Sequence, residues 1–405
     1  GLLLVTAWVA VRNSGSRRVR AALVVGLLLY PVQIAIGALT VAGTTSTALA
    51  GLHLVVAVAI FSAVLLALLW HLEASTPPAA DATGATADPS TAASGHAPGS
   101  ATGSPTGEGG TVAGGTDARP APTLGDRVVG YVTLTKPKLW WLLCLVAVAS
   151  MGLAAGPALD LGTVVPTVTG GVLAIGASGT FNHVLERDVD REMSRTDERP
   201  LVDGLVPVRR ALAFGVVLAL ASVATFVVFV NVLAAVLGVL AILFYAVGYT
   251  LVLKPNTTQN IVLGGAVGAF PALIGWAAVE NAVGIPALVL GAVIFLWTPA
   301  HFYNLALAYR DDYASAGIPM LPVVRGSAIT RRHILGYLGA TMVGAILLGT
   351  TVTLGPLYAL TATLAGAVFL WAVVRLHRER TEAAAMRAFH ASNGYLGSLL
   401  LVVTV

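Results

Sequence analysis

Eleven long apolar runs, spread from one end of this 405-residue chain to the other, decide what it can fold into. They lie near residues 21–43, 49–70, 139–156, 163–181, 211–230, 232–253, 260–279, 285–303, 334–353, 357–374 and 388–405, and residues 1–11 look like the tail of another. As helices, runs of about 18–20 residues cross the ~30 Å of hydrocarbon in a bilayer. The expectation is an all-α polytopic membrane protein. Composition agrees: only 10% of the residues are charged, against about 25% in soluble domains. Gly and Ala are frequent within the runs, and small residues let helices approach closely in lipid.

Between 74 and 119 the chain turns to Ala, Thr, Gly, Ser and Pro. Such a stretch has nothing to bury and reads as a disordered linker. It separates an N-terminal segment, 1–73, with two spans and the partial one, from a block, 120–405, with nine. Gly1 opens inside an apolar stretch, so the chain reads as a piece whose N-terminus lies upstream. The single Cys144 excludes a disulfide framework and a thiolate metal site. A formal charge of +4 is too small to suggest a nucleic-acid partner, and none is expected. Threading the runs back and forth puts all 23 Lys and Arg on one side. By the positive-inside rule that side is cytoplasmic, which implies the cell membrane.

Two acidic segments fall on that side. After the fourth full run come Asn182, Glu186 and Asp190. If the helix continues past the membrane, these oxygen-bearing residues share a stripe about 80° wide and ~12 Å long. Asp188 points to the other side of such a helix, as a secondary ligand or an arginine partner. After the eighth run come Asp311 and Asp312, followed by a Pro319-Met320-Leu321-Pro322 corner that fixes the backbone. Four spans separate the segments, so they face the same side. Two carboxylate clusters across a bundle mouth suit Mg²⁺, which sits between carboxylates and substrate phosphates. Arg195, Arg199 and Lys254 on that side suit the remaining phosphate charge. The plainer alternative is a solvated charged surface obeying the orientation rule.

At these residues the chain resembles the UbiA superfamily of intramembrane prenyltransferases, and within it the protohaem IX farnesyltransferases. Asn182, Glu186 and Asp190 match the first motif, Asn-x3-Asp/Glu-x3-Asp, with the subfamily's extra acid at Asp188. Met193 to Pro200 follow Met-x-Arg-Thr-x-x-Arg-Pro, and Asp312 to Pro322 follow Asp-Tyr-x-x-Ala-Gly-Ile-Pro-x-Leu-Pro. The stretches Leu134–Lys138, Gln259–Pro271 and Trp297–Tyr303 are similar too. Departures are Glu186, where Asp is usual, and Ala300, where a second proline is common.

The resemblance covers about 124–405 and implies a nine-helix bundle that transfers farnesyl from farnesyl diphosphate to haem b with Mg²⁺. It implies catalytic roles for Asn182, Glu186, Asp190 and Asp312. Metal ligands would come from Glu186, Asp188, Asp190, Asp311 and Asp312, and diphosphate contacts from Arg195, Arg199 and Lys254. His301 and Lys136 are candidates for haem contact, the alternatives being a helix-end residue and a topology charge. Asn260 is either a helix cap or a polar wall of the diphosphate site. Residues 33–41 with Leu52 and His53 resemble the C-terminal helices of haem A synthase, which makes His53 a haem-ligand candidate against a packing histidine. Implied partners are membrane lipid and, through that segment, haem A synthase or terminal-oxidase assembly. Two other functions compete: prenylation of a quinone precursor or a lipid, and haem handling without catalysis.

Overall fold

The computed structural model describes residues 16–41, 47–74, 123–352 and 354–404. Nearly all of the expected linker and the partial run at 1–11 lie outside them. Regular structure among the described residues is helical throughout. The N-terminal segment is a hairpin of α1 (Arg17–Val41) and α2 (Thr47–Ala74). The second block opens with a short helix, α3 (Leu124–Leu134), capped by a Thr123–Asp126 capping box. Long helices follow: α4 (Trp140–Ala155), α5 (Leu161–Leu185), α6 (Val208–Phe229), α7 (Val232–Leu243), α8 (Ala266–Glu280), α9 (Ile285–Ala308), α10 (Ser327–Thr351), α11 (Pro356–Glu379) and α12 (Glu382–Val403).

These nine helices of the block coincide with the nine apolar runs. Ten stretches of the described chain, two in the hairpin and eight in the block, are long and apolar enough to cross a bilayer. The exception is α12, where the last run was expected to span. Arg387, His390, Ser392, Asn393 and Ser398 lower its hydropathy. Arg387 and His390 are exposed, whereas Ser392, Tyr395, Leu396 and Leu399 are buried and seat one face of the helix in the bundle.

The block is organised around α9, whose apolar window is 56% buried. Leu290, Val293, Ile294 and Trp297 pack there with Leu335 and Leu338 of α10 and Leu396 and Leu400 of α12. The outer faces stay apolar: Leu357, Leu360, Leu364, Val368 and Trp371 form an exposed stripe on α11. In water such a face would be a liability; in lipid it is the solvent contact. Close packing is visible between α4 and α8. A Cβ at Gly275 would lie 2.2 Å from the Ala147 carbonyl oxygen, and Ser150 Oγ donates to the Ala272 carbonyl at 2.5 Å.

Two spans are less regular than their apolar runs imply. After α7 the chain widens into a π-helix over Phe244–Leu253. The span ending in α8 begins as a short helix, Asn260–Gly264, that breaks at Gly265. A Cβ at Gly265 would press within 3.0 Å of the Phe295 carbonyl. Both irregularities lie at the end of the bundle that carries the acidic segments.

Candidate functional site

The first acidic segment keeps its helical spacing across a small break. Regular α5 ends at Leu185, and Glu186 takes φ −96° and ψ 3° before a short helix, Arg187–Asp190. The Glu186 amide still donates to the Asn182 carbonyl at 2.9 Å, and the Asp190 amide to the Glu186 carbonyl at 2.8 Å. Asn182, Glu186 and Asp190 are therefore all buried. Asp188 faces out, with its side chain 88% exposed and its carboxylate 3.4 Å from Arg191.

Each inward group is held by partners from other elements. Gly179 lets the Leu134–Lys136 turn nest on α5, since a Cβ there would meet the Leu134 carbonyl at 2.9 Å. Lys136 adopts the left-handed φ of 54°, uncommon outside glycine. Its ammonium thereby reaches inward and donates to Asn182 Oδ1 and, at 3.0 Å, to the Tyr245 hydroxyl. Asn182 Nδ2 donates to Thr250 Oγ1 at 2.9 Å. Lys254 Nζ donates to Glu186 Oε1 at 2.6 Å, and Arg199 Nη1 to Asp190 Oδ2 at 2.5 Å.

The fields in this cluster oppose one another. Burial pushes the Lys136 ammonium down to about 8 against the pull of Glu186. Burial raises the Glu186 carboxyl, but Lys254, Lys136 and Arg199 outweigh it and hold the group below its ordinary value. For Asp190, burial wins over Arg199 and the carboxyl lies above its ordinary value.

The second acidic segment meets the first. Ser194 Oγ donates to Asp312 Oδ1 at 2.8 Å, and Arg195 Nη2 contacts the Tyr313 hydroxyl at 3.4 Å. Arg195 also lies over the Tyr309 ring, 5.1 Å from its centroid. Asp312 Oδ2 is buried with no donor, and so is Asn260 Oδ1. The Asn260 side-chain amide donates to the Lys254 carbonyl at 3.3 Å, and the N-cap of its short helix is Gln259, so Asn260 is not the cap.

The five-carboxylate metal set expected above does not assemble. Glu186, Asp190 and Asp312 turn inward, whereas Asp188 and Asp311 are exposed. No three Asp, Glu, His or Cys among the described residues gather as a metal cluster. Helical geometry explains the split: one or two residues along a helix, the side chain has turned about 100–200° away. The donor set nonetheless fits a hard divalent cation that takes most of its oxygens from phosphate and water, because Asp312 Oδ2 is a buried acceptor awaiting a positive partner.

His301 lies apart from the carboxylates. Its ring stacks between Trp297 and Phe389, each 4.2 Å away, and Nδ1 pairs with Ser392 Oγ at 2.6 Å. In the N-terminal hairpin His53 packs on Gly37 and its Nε2 pairs with Gln33 at 3.0 Å. Sequence reasoning missed Tyr245 and Thr250, although polar residues at 245, 249, 250 and 254 in an apolar run were a signal. It also missed Ser194, which nothing in the linear pattern distinguishes.

Comparison with known proteins places these features. Residues 142–396 match the UbiA prenyltransferase family. A protein named protoheme IX farnesyltransferase from Haloarcula marismortui is 56% identical over 410 residues, covering 100% of this chain and 84% of that one. One of the same name from Leifsonia xyli is 45% identical over 282 residues, 69% of this chain and 92% of its own. A UbiA homologue from Archaeoglobus fulgidus, solved with GPP and Mg²⁺, superimposes with a TM-score of 0.54 at 17% identity, covering 68% of this chain and all of that one.

Proposed function

This chain belongs to the UbiA prenyltransferase family, and from that premise we propose that it is a protohaem IX farnesyltransferase, moving farnesyl from farnesyl diphosphate to a vinyl group of haem b to form haem O. The observation that carries the reading is the Ser194–Asp312 bond, which joins the two acidic segments and leaves the buried Asp312 Oδ2 without a donor.

Asp312, Asp190 and Glu186 are the residues that would hold Mg²⁺, which supplies Lewis-acid polarisation of the diphosphate and neutralises the leaving group. Arg199, Lys254 and Lys136 meet the remaining phosphate charge. Arg195, fixed over Tyr309 and Tyr313, stands at the junction of the two segments. When the allylic C–O bond breaks, its electron pair leaves with the diphosphate and the farnesyl carbon becomes cationic. The haem vinyl π-electrons then form the new C–C bond. Water adds to the resulting porphyrin-side cation and loses a proton, which leaves the hydroxyl of the product. Water must be kept from the first cation, and a bundle with a buried site provides that exclusion.

The active-site end is assigned to the cytoplasmic face of the cell membrane by its basic loops. His301 is assigned to the haem side of the site, its ring orientation fixed by Trp297, Phe389 and Ser392. The domain reading is a haem A synthase-like hairpin joined by a linker to the transferase at 120–405. The test is a mass spectrum of haem extracted from cells that express the chain and make haem b. Haem O is expected with the native chain and haem b alone with Asp312→Asn. Prenylation of a quinone precursor or a lipid instead would overturn the acceptor assignment.

A further inference from the structure

Arg331 is a charge that the transferase reading does not use. It sits in the second turn of α10 and is only 8% exposed. Among the described residues its guanidinium has no hydrogen bond and no ion pair. The charged side chains that act on it, Arg380 and Arg332, carry the same sign. His377 lies among the same three arginines. The carboxylate at this end of α11, Glu379, is taken by Arg375 and Arg387. Glu382, the next acid, is exposed.

The stem is enclosed while the guanidinium reaches the protein surface without an acceptor, and a cation set among like charges is an arrangement that an anion relieves. The location is informative. α10 begins just after the Asp312 segment, and α11 returns to the same end of the bundle. We infer that Arg331 is the centre of a second anion site, distinct from the diphosphate cluster, that takes an oxyanion borne by a molecule lying at the membrane interface. The planar guanidinium fork suits a carboxylate or a phosphate equally. Two sources share that chemistry: a propionate of the porphyrin acceptor, and the phosphate of a bilayer lipid. The porphyrin source rests on the function proposed above, whereas the lipid source does not.

The experiment uses the full chain purified in detergent and stripped of lipid. Thermal melting and binding are measured with four probes: haem b, haem b dimethyl ester, and nanodiscs of phosphatidylglycerol or phosphatidylcholine. Without a probe, Arg331→Leu is expected to melt above the native chain, because it removes a charge that Arg332 and Arg380 repel. With the matching anion the order reverses. A preference of about tenfold for haem b over its ester, lost in Arg331→Leu, assigns the site to the acceptor carboxylate. A preference for phosphatidylglycerol over phosphatidylcholine, lost in the same variant, assigns it to lipid phosphate. Equal responses of native and variant chains to all four probes overturn the site.

If the leucine variant does not insert, Arg331→Lys decides: the preference drops at least threefold if the guanidinium fork binds the anion, and an unchanged preference sinks the proposal. Anion preference without farnesyl transfer would leave this site standing and remove the transferase reading. Transfer without any preference would do the reverse.

Discussion

Lys136, in the sequence a candidate haem contact with a topology charge as the alternative, is sent inward by the left-handed turn to Asn182 and Tyr245. Burial lowers its ammonium from the ordinary 10.5 to about 8. The charged form is therefore half-populated near pH 8, complete about two pH units below it and lost above it. A bound diphosphate favours the charged form, so binding in the window from about 8 to 10.5 takes up a proton. Farnesyl diphosphate affinity should be flat well below pH 8 and fall above it, by up to about tenfold per pH unit. Lys136→Arg should flatten that profile, and equilibrium binding across pH checks it; an equal fall in both proteins refutes the role. Asp190→Ala is expected to leave the chain inserted and to lower transfer by at least about a hundredfold, measured as haem O formed per enzyme. The Asn182, Glu186, Asp190 spacing was legible because four-residue intervals survive any continuous helix. Ser194, Thr250 and Arg331 were not, because their meaning comes from which helices become neighbours.

Among the elements, helix existence was plain from the apolar runs, and helix regularity was not. The π-helix at Phe244–Leu253 matters because its wider turn brings Tyr245, Thr250 and Lys254 to one site from a single span. Nothing in a hydropathy pattern marks that extra residue per turn. Thr250→Val should break the bond to Asn182 and cost about 1 kcal/mol of site stability. The expected readout is a several-fold weaker Kd for farnesyl diphosphate, with melting barely changed. Packing between α4 and α8 makes a sharper demand. Gly275 leaves room for the Ala147 carbonyl, so Gly275→Leu forces the two helices apart. Overpacking of this kind costs roughly 1–3 kcal/mol, and the variant should melt lower in detergent while its ligand contacts stay intact. A melting temperature equal to that of the native chain would show that the helices yield freely there.

At the scale of the whole molecule, the open matter is what the N-terminal hairpin does to the transferase. Its α2 lies along α10: Leu65, Leu68 and Leu69 pack against the main core and Leu72 is buried in it. The approach is close enough that a Cβ on Gly339 would fall 1.9 Å from Leu65 Cδ2. This contact was illegible in the sequence, because residues facing lipid and residues facing another helix are equally apolar. Yet the proposed site draws its side chains from Lys136 onward and, among the described residues, none from the hairpin. Moreover, the Leifsonia xyli relative matches 282 residues with 92% of its own length, about the size of the second block alone. Residues 120–405 expressed alone should therefore insert and form haem O at a rate within about threefold of the full chain, since a remote surface contact supports stability more than chemistry. When 1–80 and 120–405 are co-expressed as separate tagged pieces, they should co-purify through the Leu65–Gly339 contact. Gly339→Leu should abolish co-purification and leave transfer by 120–405 intact. Were that variant instead to lose transfer while 120–405 alone kept it, α10 itself would be part of the catalytic scaffold and the hairpin a mere neighbour.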